Sequence, residues 1–113
     1  MLFNSHIDTV PPFFGARVEF SSEHAATNGV GSSSKQYDDA TIWGRGACDT
    51  KGILAAQLTA LQELVAEGAG SDDVGLLYVV SEETDHSGML KSNELGLDPE
   101  YLIVGEPTGE SLT

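Results

Sequence analysis

Apolar and polar positions alternate between two rhythms along the chain. Leu2 to Ser5 reads as a short strand that runs into His6. Val10-Pro11-Pro12 then stops any ladder, because proline lacks the N–H a neighbour would need. Residues 21–40 are polar and rich in Ser, Gly and Asn, with Asn28-Gly29 as a turn. They predict a surface loop flanked by short strands at Ala16–Phe20 and Thr41–Trp43, with Gly44-Arg45-Gly46 as a tight connection. Thr50 to Glu67 is the clearest helix. Leu54, Leu58, Leu61 and Val65 follow the i, i+4, i+7, i+11 spacing of one buried stripe, and Gly68-Ala69-Gly70 ends it. Val74 to Val80 is mostly apolar with β-branched and aromatic members, as in a strand buried on both faces. Ser87 to Leu95 predicts a shorter helix closed by Gly96. Tyr101 to Val104 predicts another buried strand, ended by Gly105 and Pro107. The order strand, loop, helix, strand, helix, strand gives an α/β layout, a substantially parallel sheet flanked by helices.

Length adds one constraint: 113 residues make one small domain at most. Met1-Leu2-Phe3-Asn4-Ser5 reads as a strand already under way, with a candidate ligand directly behind it. The chain is therefore expected to be an internal piece of a longer protein. The 40% hydrophobic content is that of a globular chain. No apolar run approaches the ~20 residues that span a bilayer, so a membrane is not an expected partner. No basic region followed by an apolar stretch marks a signal peptide, and the compartment, secreted or cytoplasmic, stays open. A net charge of -13 argues against nucleic acid, which needs a basic face. Most of that charge is expected to be solvated surface, with bound cations offsetting some of it. Cys48 is the only cysteine, so no internal disulfide can form; a buried structural thiol is the expected role.

Histidine and carboxylates recur at the predicted strand ends: His6 and Asp8, Glu82 and Glu83, and Glu106, with Asp49 just before the long helix. Open α/β sheets gather ligand sites along that edge, so these distant segments can converge. Imidazole is a common zinc ligand. A carboxylate two residues on can hold its other ring nitrogen or a nearby ligand. Taken alone, each feature has a plainer meaning. His6-x-Asp8 could be an exposed histidine beside an unrelated aspartate, Asp49 an ordinary helix cap, and Glu106 a solvated loop residue. Adjacent Glu82 and Glu83 at the end of an apolar strand are costly unless compensated. Their side chains diverge, so one can ligate while the other acts as a base.

Together the segments Ser5-His6-Ile7-Asp8-Thr9-Val10, Gly44-Arg45-Gly46-Ala47-Cys48-Asp49-Thr50-Lys51-Gly52, Glu82-Glu83-Thr84 and Gly105-Glu106-Pro107-Thr108 resemble a family. It is the zinc-dependent family of acetylornithine deacetylases, succinyl-diaminopimelate desuccinylases, aminoacylases and carboxypeptidase G. The resemblance covers nearly the whole chain but only part of that family's catalytic domain, and none of its lid or dimerisation domain. It implies that 1–113 is a partial catalytic domain. It also implies two zinc ions per intact catalytic domain, although cobalt or manganese would suit the same donors. By resemblance Asp49 bridges the metals, His6 and Glu106 complete one, and Glu83 serves the other beside a histidine beyond this chain. Glu82 becomes the general base and Asp8 supports the site from behind. The resemblance also implies a cis peptide after Asp49. His24 and His86 match no family ligand; His86, three residues past Glu83, is a conceivable substitute. The segment Thr84–Gly88 is less glycine-rich than the family's usual turn.

The implied activity is hydrolysis of amide bonds in small peptides or N-acyl amino acids as part of a longer parent, with a homodimer possible through the absent domain. Thr9-Val10-Pro11-Pro12-Phe13 looks most like carboxypeptidase-like members. The first alternative is a deacylase of the acetylornithine or succinyl-diaminopimelate type. A third reading is a related two-metal aminopeptidase, against which the Gly-Arg-Gly-x-x-Asp-x-Lys-Gly context argues. An alternative of another class is a non-catalytic, truncated metal-binding remnant. Arg45 and Lys51 are expected to serve local structure.

Overall fold

A computed structural model describes residues 1–20, 40–68 and 73–108. The predicted turn at Asn28-Gly29, most of the predicted polar loop, His24 and Ala69-Gly70 lie outside these residues. Five strands and two α-helices are present among them: β1 (Leu2–His6), β2 (Arg17–Phe20), β3 (Ala40–Trp43), α1 (Ile53–Ala66), β4 (Gly75–Val79), α2 (Ser87–Ser92) and β5 (Leu102–Val104). A 3₁₀ turn, Asn93–Leu95, extends α2 to the end of the predicted helix.

β1 lies at the centre of a three-stranded parallel sheet in the order β4-β1-β5. Leu2 to His6 pair with Gly75 to Val79, and Leu2 to Asn4 pair with Leu102 to Val104. The chain crosses one way from β1 to β4 and the other way from β4 to β5. Right-handed crossovers then put the two helices on opposite faces. Side-chain alternation agrees. The Tyr78 hydroxyl donates to the Leu54 carbonyl of α1 at 3.5 Å, while Leu77 and Val79 line a groove with α2 residues Ser87 and Lys91. β2 and β3 form a separate antiparallel pair.

α1 is built mostly from Ala, Leu, Gln and Glu, all good helix formers, and the chain leaves it through Gly68 in the left-handed region (φ 79°). Its inward face differs from the expected stripe. Ile53, Leu54 and Leu61 are half-buried and Gln57 is buried, whereas Leu58 and Val65 are exposed. Gly105 explains the rotation. A Cβ there would run into Ile53 and come within 2.6 Å of Gln57 Nε2, so α1 docks by that face against the backbone at the end of β5.

Burial also departs from expectation. Val79 is the one buried hydrophobic side chain among the described residues, and Asn4, Ser5, His6, Thr50 and Gln57 are the buried polar ones. β4, expected to be buried on both faces, is mostly half-buried, and Leu102, Ile103 and Val104 of β5 are exposed. β4 and β5 are both edges here, and one helix per face cannot cover three strands. No helix of the described residues is long and apolar enough to cross a membrane.

Candidate metal centre

Every predicted site residue reaches the same end of the sheet. His6 closes β1 and is 1% exposed. The Ile7 amide donates to the Val79 carbonyl at 3.0 Å, which keeps the ladder intact just past the ring. Asp49 sits in a kinked turn, Ala47–Gly52, where Asp49 (φ −109°, ψ 94°) and Thr50 (φ −129°, ψ 21°) leave helical geometry. The Asp49-Thr50 peptide is cis, as the resemblance implies, and so is Pro11-Pro12. Glu82 and Glu83 follow Ser81, whose positive φ of 63° turns the chain off β4. Glu106 follows Gly105 at the end of β5.

The imidazole of His6 organises the cluster. Its Nδ1 lies 3.1 Å from the Asp8 carbonyl oxygen. A carbonyl only accepts, so Nδ1 carries the proton. Nε2 then faces carboxylates: Asp49 Oδ1 at 2.9 Å, Glu106 Oε2 at 3.4 Å and Glu82 Oε2 at 3.8 Å. Lone pairs on all these atoms can converge only around a cation, a proton or a metal ion. Burial works against a charged His6. The hydrogen bond to Asp49 and the negative charges of Glu106 and Asp49 outweigh it, so its pKa is raised from 6.5. Burial first, then the Asp49 charge, raises the Glu106 carboxyl above its ordinary value. Among the described residues, no lysine or arginine is ion-paired with Asp49, Glu82, Glu83 or Glu106.

Asp8 stands behind the cluster. Its two carboxylate oxygens accept the amides of Glu82 and Glu83, each at 3.2 Å. Burial opposes its ionisation, but those amides prevail and hold the carboxyl below its usual range. Asp8 thereby fixes the backbone that carries both glutamates.

Two sets of donor atoms lie within 4.8 Å of one another: His6, Glu82 and Glu106, and His6, Asp49 and Glu83. One imidazole with carboxylates is a donor set that suits zinc, cobalt or manganese, and the unpaired negative charge calls for a cation. The residues fit a metal. All six predicted residues come together. The grouping differs from the expected one: Glu82, expected as the base, lies with Glu106 and His6, Asp49, expected as the bridge, falls in one set, and His6 is shared by both. His86 joins neither set; it is 63% exposed, with Nδ1 3.8 Å from Glu82 Oε1. Its φ of 56° lies in the left-handed region that favours glycine.

Cys48, expected to be buried, is exposed. The turn places Thr50 inward, buried, two residues later. Arg45 has the expected local role: its Nε donates to the Pro12 carbonyl at 3.1 Å and its guanidinium covers Phe14. Two buried hydroxyls, Ser5 and Thr50, also support the site, although residue type alone does not single them out. Thr50 Oγ1 donates to the His6 carbonyl at 2.7 Å. A cavity of about 180 Å³ adjoins the cluster, bounded by His6, Glu82 and Glu106 with Val79, Met89 and Val104 as apolar wall. A larger groove, about 550 Å³, runs between β4 and α2 and contains none of the clustered carboxylates.

Comparison with known proteins gives the family. The model of Peptidase family M20/M25/M40 matches residues 2–113. A peptidase M20 domain-containing protein of Schizosaccharomyces pombe is 39% identical over 99% of this chain and 24% of its own length. A protein of Aspergillus flavus named "Probable carboxypeptidase" is 38% identical over 96% of this chain and 24% of its own length. A protein of the same name from Arthroderma gypseum is 37% identical over 99% of this chain and 23% of its own length. The chain thus spans about a quarter of the length of these curated relatives. No solved structure matches it significantly.

Proposed function

The chain belongs to peptidase family M20/M25/M40, and from that premise we propose that it is part of the catalytic domain of a zinc-dependent, carboxypeptidase-like hydrolase. The substrates are small peptides or N-acyl amino acids. The observation that carries this reading is His6: with Nδ1 committed to a carbonyl, its Nε2 meets three carboxylates within 3.8 Å. His6, Asp49, Glu83 and Glu106 would hold the metal, two ions in the intact domain. Bound zinc supplies Lewis acidity and a water that ionises near neutral pH.

The chain's own residues do the rest. Glu82 takes the proton of the attacking water on a carboxylate oxygen as the water's electron pair forms the new C–O bond. It then returns that proton to the amine nitrogen as the C–N bond breaks. Asp8 holds the Glu82 amide, and so the base, in register. Val79, Met89 and Val104 give the adjoining cavity an apolar wall that limits water on one side of the base. The names of the fungal relatives favour a carboxypeptidase; a deacylase of acetyl or succinyl groups is the neighbouring activity on the same chemistry.

The test is Glu82→Gln in the full-length protein. It removes a base and leaves the four proposed ligands, so zinc content should hold while kcat falls by about 10²–10⁴. Near-normal kcat would remove Glu82 from its role. Assay of dipeptides beside N-acetyl and N-succinyl amino acids separates the two substrate classes.

A further inference from the structure

Four backbone segments bring ligands to the centre, and two buried hydroxyls tie three of them together. Thr50 is 1% exposed and Ser5 is 2% exposed. Thr50 Oγ1 donates to the His6 carbonyl at 2.7 Å. Ser5 Oγ donates to the Gly105 carbonyl at 2.8 Å and lies 3.2 Å from Thr50 Oγ1. The chain therefore runs, through side-chain oxygens, from the residue after Asp49 to His6 itself and on to the residue before Glu106.

These links have few substitutes. Among the described residues, the hydrogen bonds joining the Ala47–Gly52 turn to β1 are those of Thr50 and the one between the ligands His6 and Asp49. Gly105 has one further tie, its amide to the Asn4 carbonyl at 2.7 Å. Without the Thr50 hydroxyl, the bond between His6 and Asp49 would be the one hydrogen bond left between that turn and β1 among the described residues. A buried hydroxyl is unfavourable unless paired, and both are paired to the backbone that positions the donors.

We propose that Thr50 and Ser5 are positioning residues of the metal centre, and that the Thr50 hydroxyl sets the spacing between His6 and Asp49. The inference rests on the metal-site reading above. Groups that orient ligands from outside the coordination sphere typically change metal affinity by about 10–100-fold.

The experiment measures zinc affinity of the full-length protein by competition with a chromophoric chelator, and the visible spectrum of the cobalt form. Thr50→Val keeps the side-chain shape and removes the hydroxyl. It should weaken zinc about 10–100-fold and alter the cobalt spectrum, while Thr50→Ser regains most of the affinity and the parent spectrum. Ser5→Ala should weaken zinc in the same direction. If Thr50→Val binds zinc as the parent does, with the parent's cobalt spectrum, the proposal is overturned. Equal losses in Thr50→Val and Thr50→Ser also overturn it, since shape and not the hydroxyl would then matter. Should Thr50→Val not fold, Ser5→Ala decides: unchanged affinity overturns the proposal and a loss supports it. A parent that binds no zinc removes the metal-site reading itself, an outcome distinct from all of these.

Discussion

His6 holds either a proton or a metal ion at Nε2, and its surroundings make the two compete. Asp49 and Glu106 raise its pKa above 6.5 despite burial. A raised folded pKa stabilises the metal-free fold fully below the unfolded value of about 6.5, and that contribution is lost as pH rises through the folded value. Zinc requires the neutral ring, so its effect grows over the same interval. Melting curves of the full-length protein from pH 6 to 9 should therefore diverge. The metal-free Tm should fall, by about 2–8 °C for each kcal/mol lost depending on size, and the gain from added zinc should increase. Parallel curves with and without zinc would contradict the competition. The candidate residues are legible in sequence because four motifs in one order resemble a single family, whereas each acid or histidine taken alone has a plainer meaning. Ser5 and Thr50 escape notice because hydroxyls are common everywhere, and only burial gives them meaning. Cys48 misleads because a lone cysteine is usually buried, whereas here the turn puts Thr50 inward and leaves the thiol exposed.

At the scale of elements, the join between β4 and α2 is closely packed beside the site. A Cβ on Gly88 would run into the backbone of Val80. Ser81 gathers the amides of Thr84, Asp85 and His86 on its carbonyl, at 3.4, 3.2 and 2.7 Å, and Asp85 accepts the Ser87 amide at 3.0 Å. Gly88→Ala must push α2 off the strand that carries Glu82 and Glu83. A loss of about 1–3 kcal/mol is expected, read as a lower denaturant midpoint, together with lower zinc affinity; an unchanged midpoint would show that the helix gives way freely. Periodicity locates each of these elements to within a few residues, since the shift between strand and helix rhythms is local. It does not give the face that α1 buries. Leu58 and Val65 look like core, yet Gln57 faces inward because its amide reaches the Asn4 carbonyl at 3.2 Å and Gly105 leaves room for it. Such a choice depends on a strand about fifty residues away.

For the whole molecule, the polar interior is the main departure from what the sequence suggests. Apolar residues of β5, the hairpin β2–β3 and the outer side of α1 are exposed, so the described residues are held together largely by ladder hydrogen bonds and by the contacts beneath the site. Burial of Leu102 to Val104 is not decided by their own pattern; it depends on what lies over the sheet. The central place of β1 has a further consequence, for the order of events in time. Its two neighbours come from far along the chain, and the bond from Ser5 to Gly105 spans 100 residues. Closing so long a loop comes at the expense of chain entropy before any contact returns it. The ligand set is then complete only when the last strand has docked, and zinc would meet a finished site. Zinc should slow unfolding of the full-length protein and leave its folding rate nearly unchanged, a partition that stopped-flow denaturant jumps with and without the ion would reveal. A folding rate that rises with zinc would instead mean that the ion recruits the distant strand and acts as a nucleus.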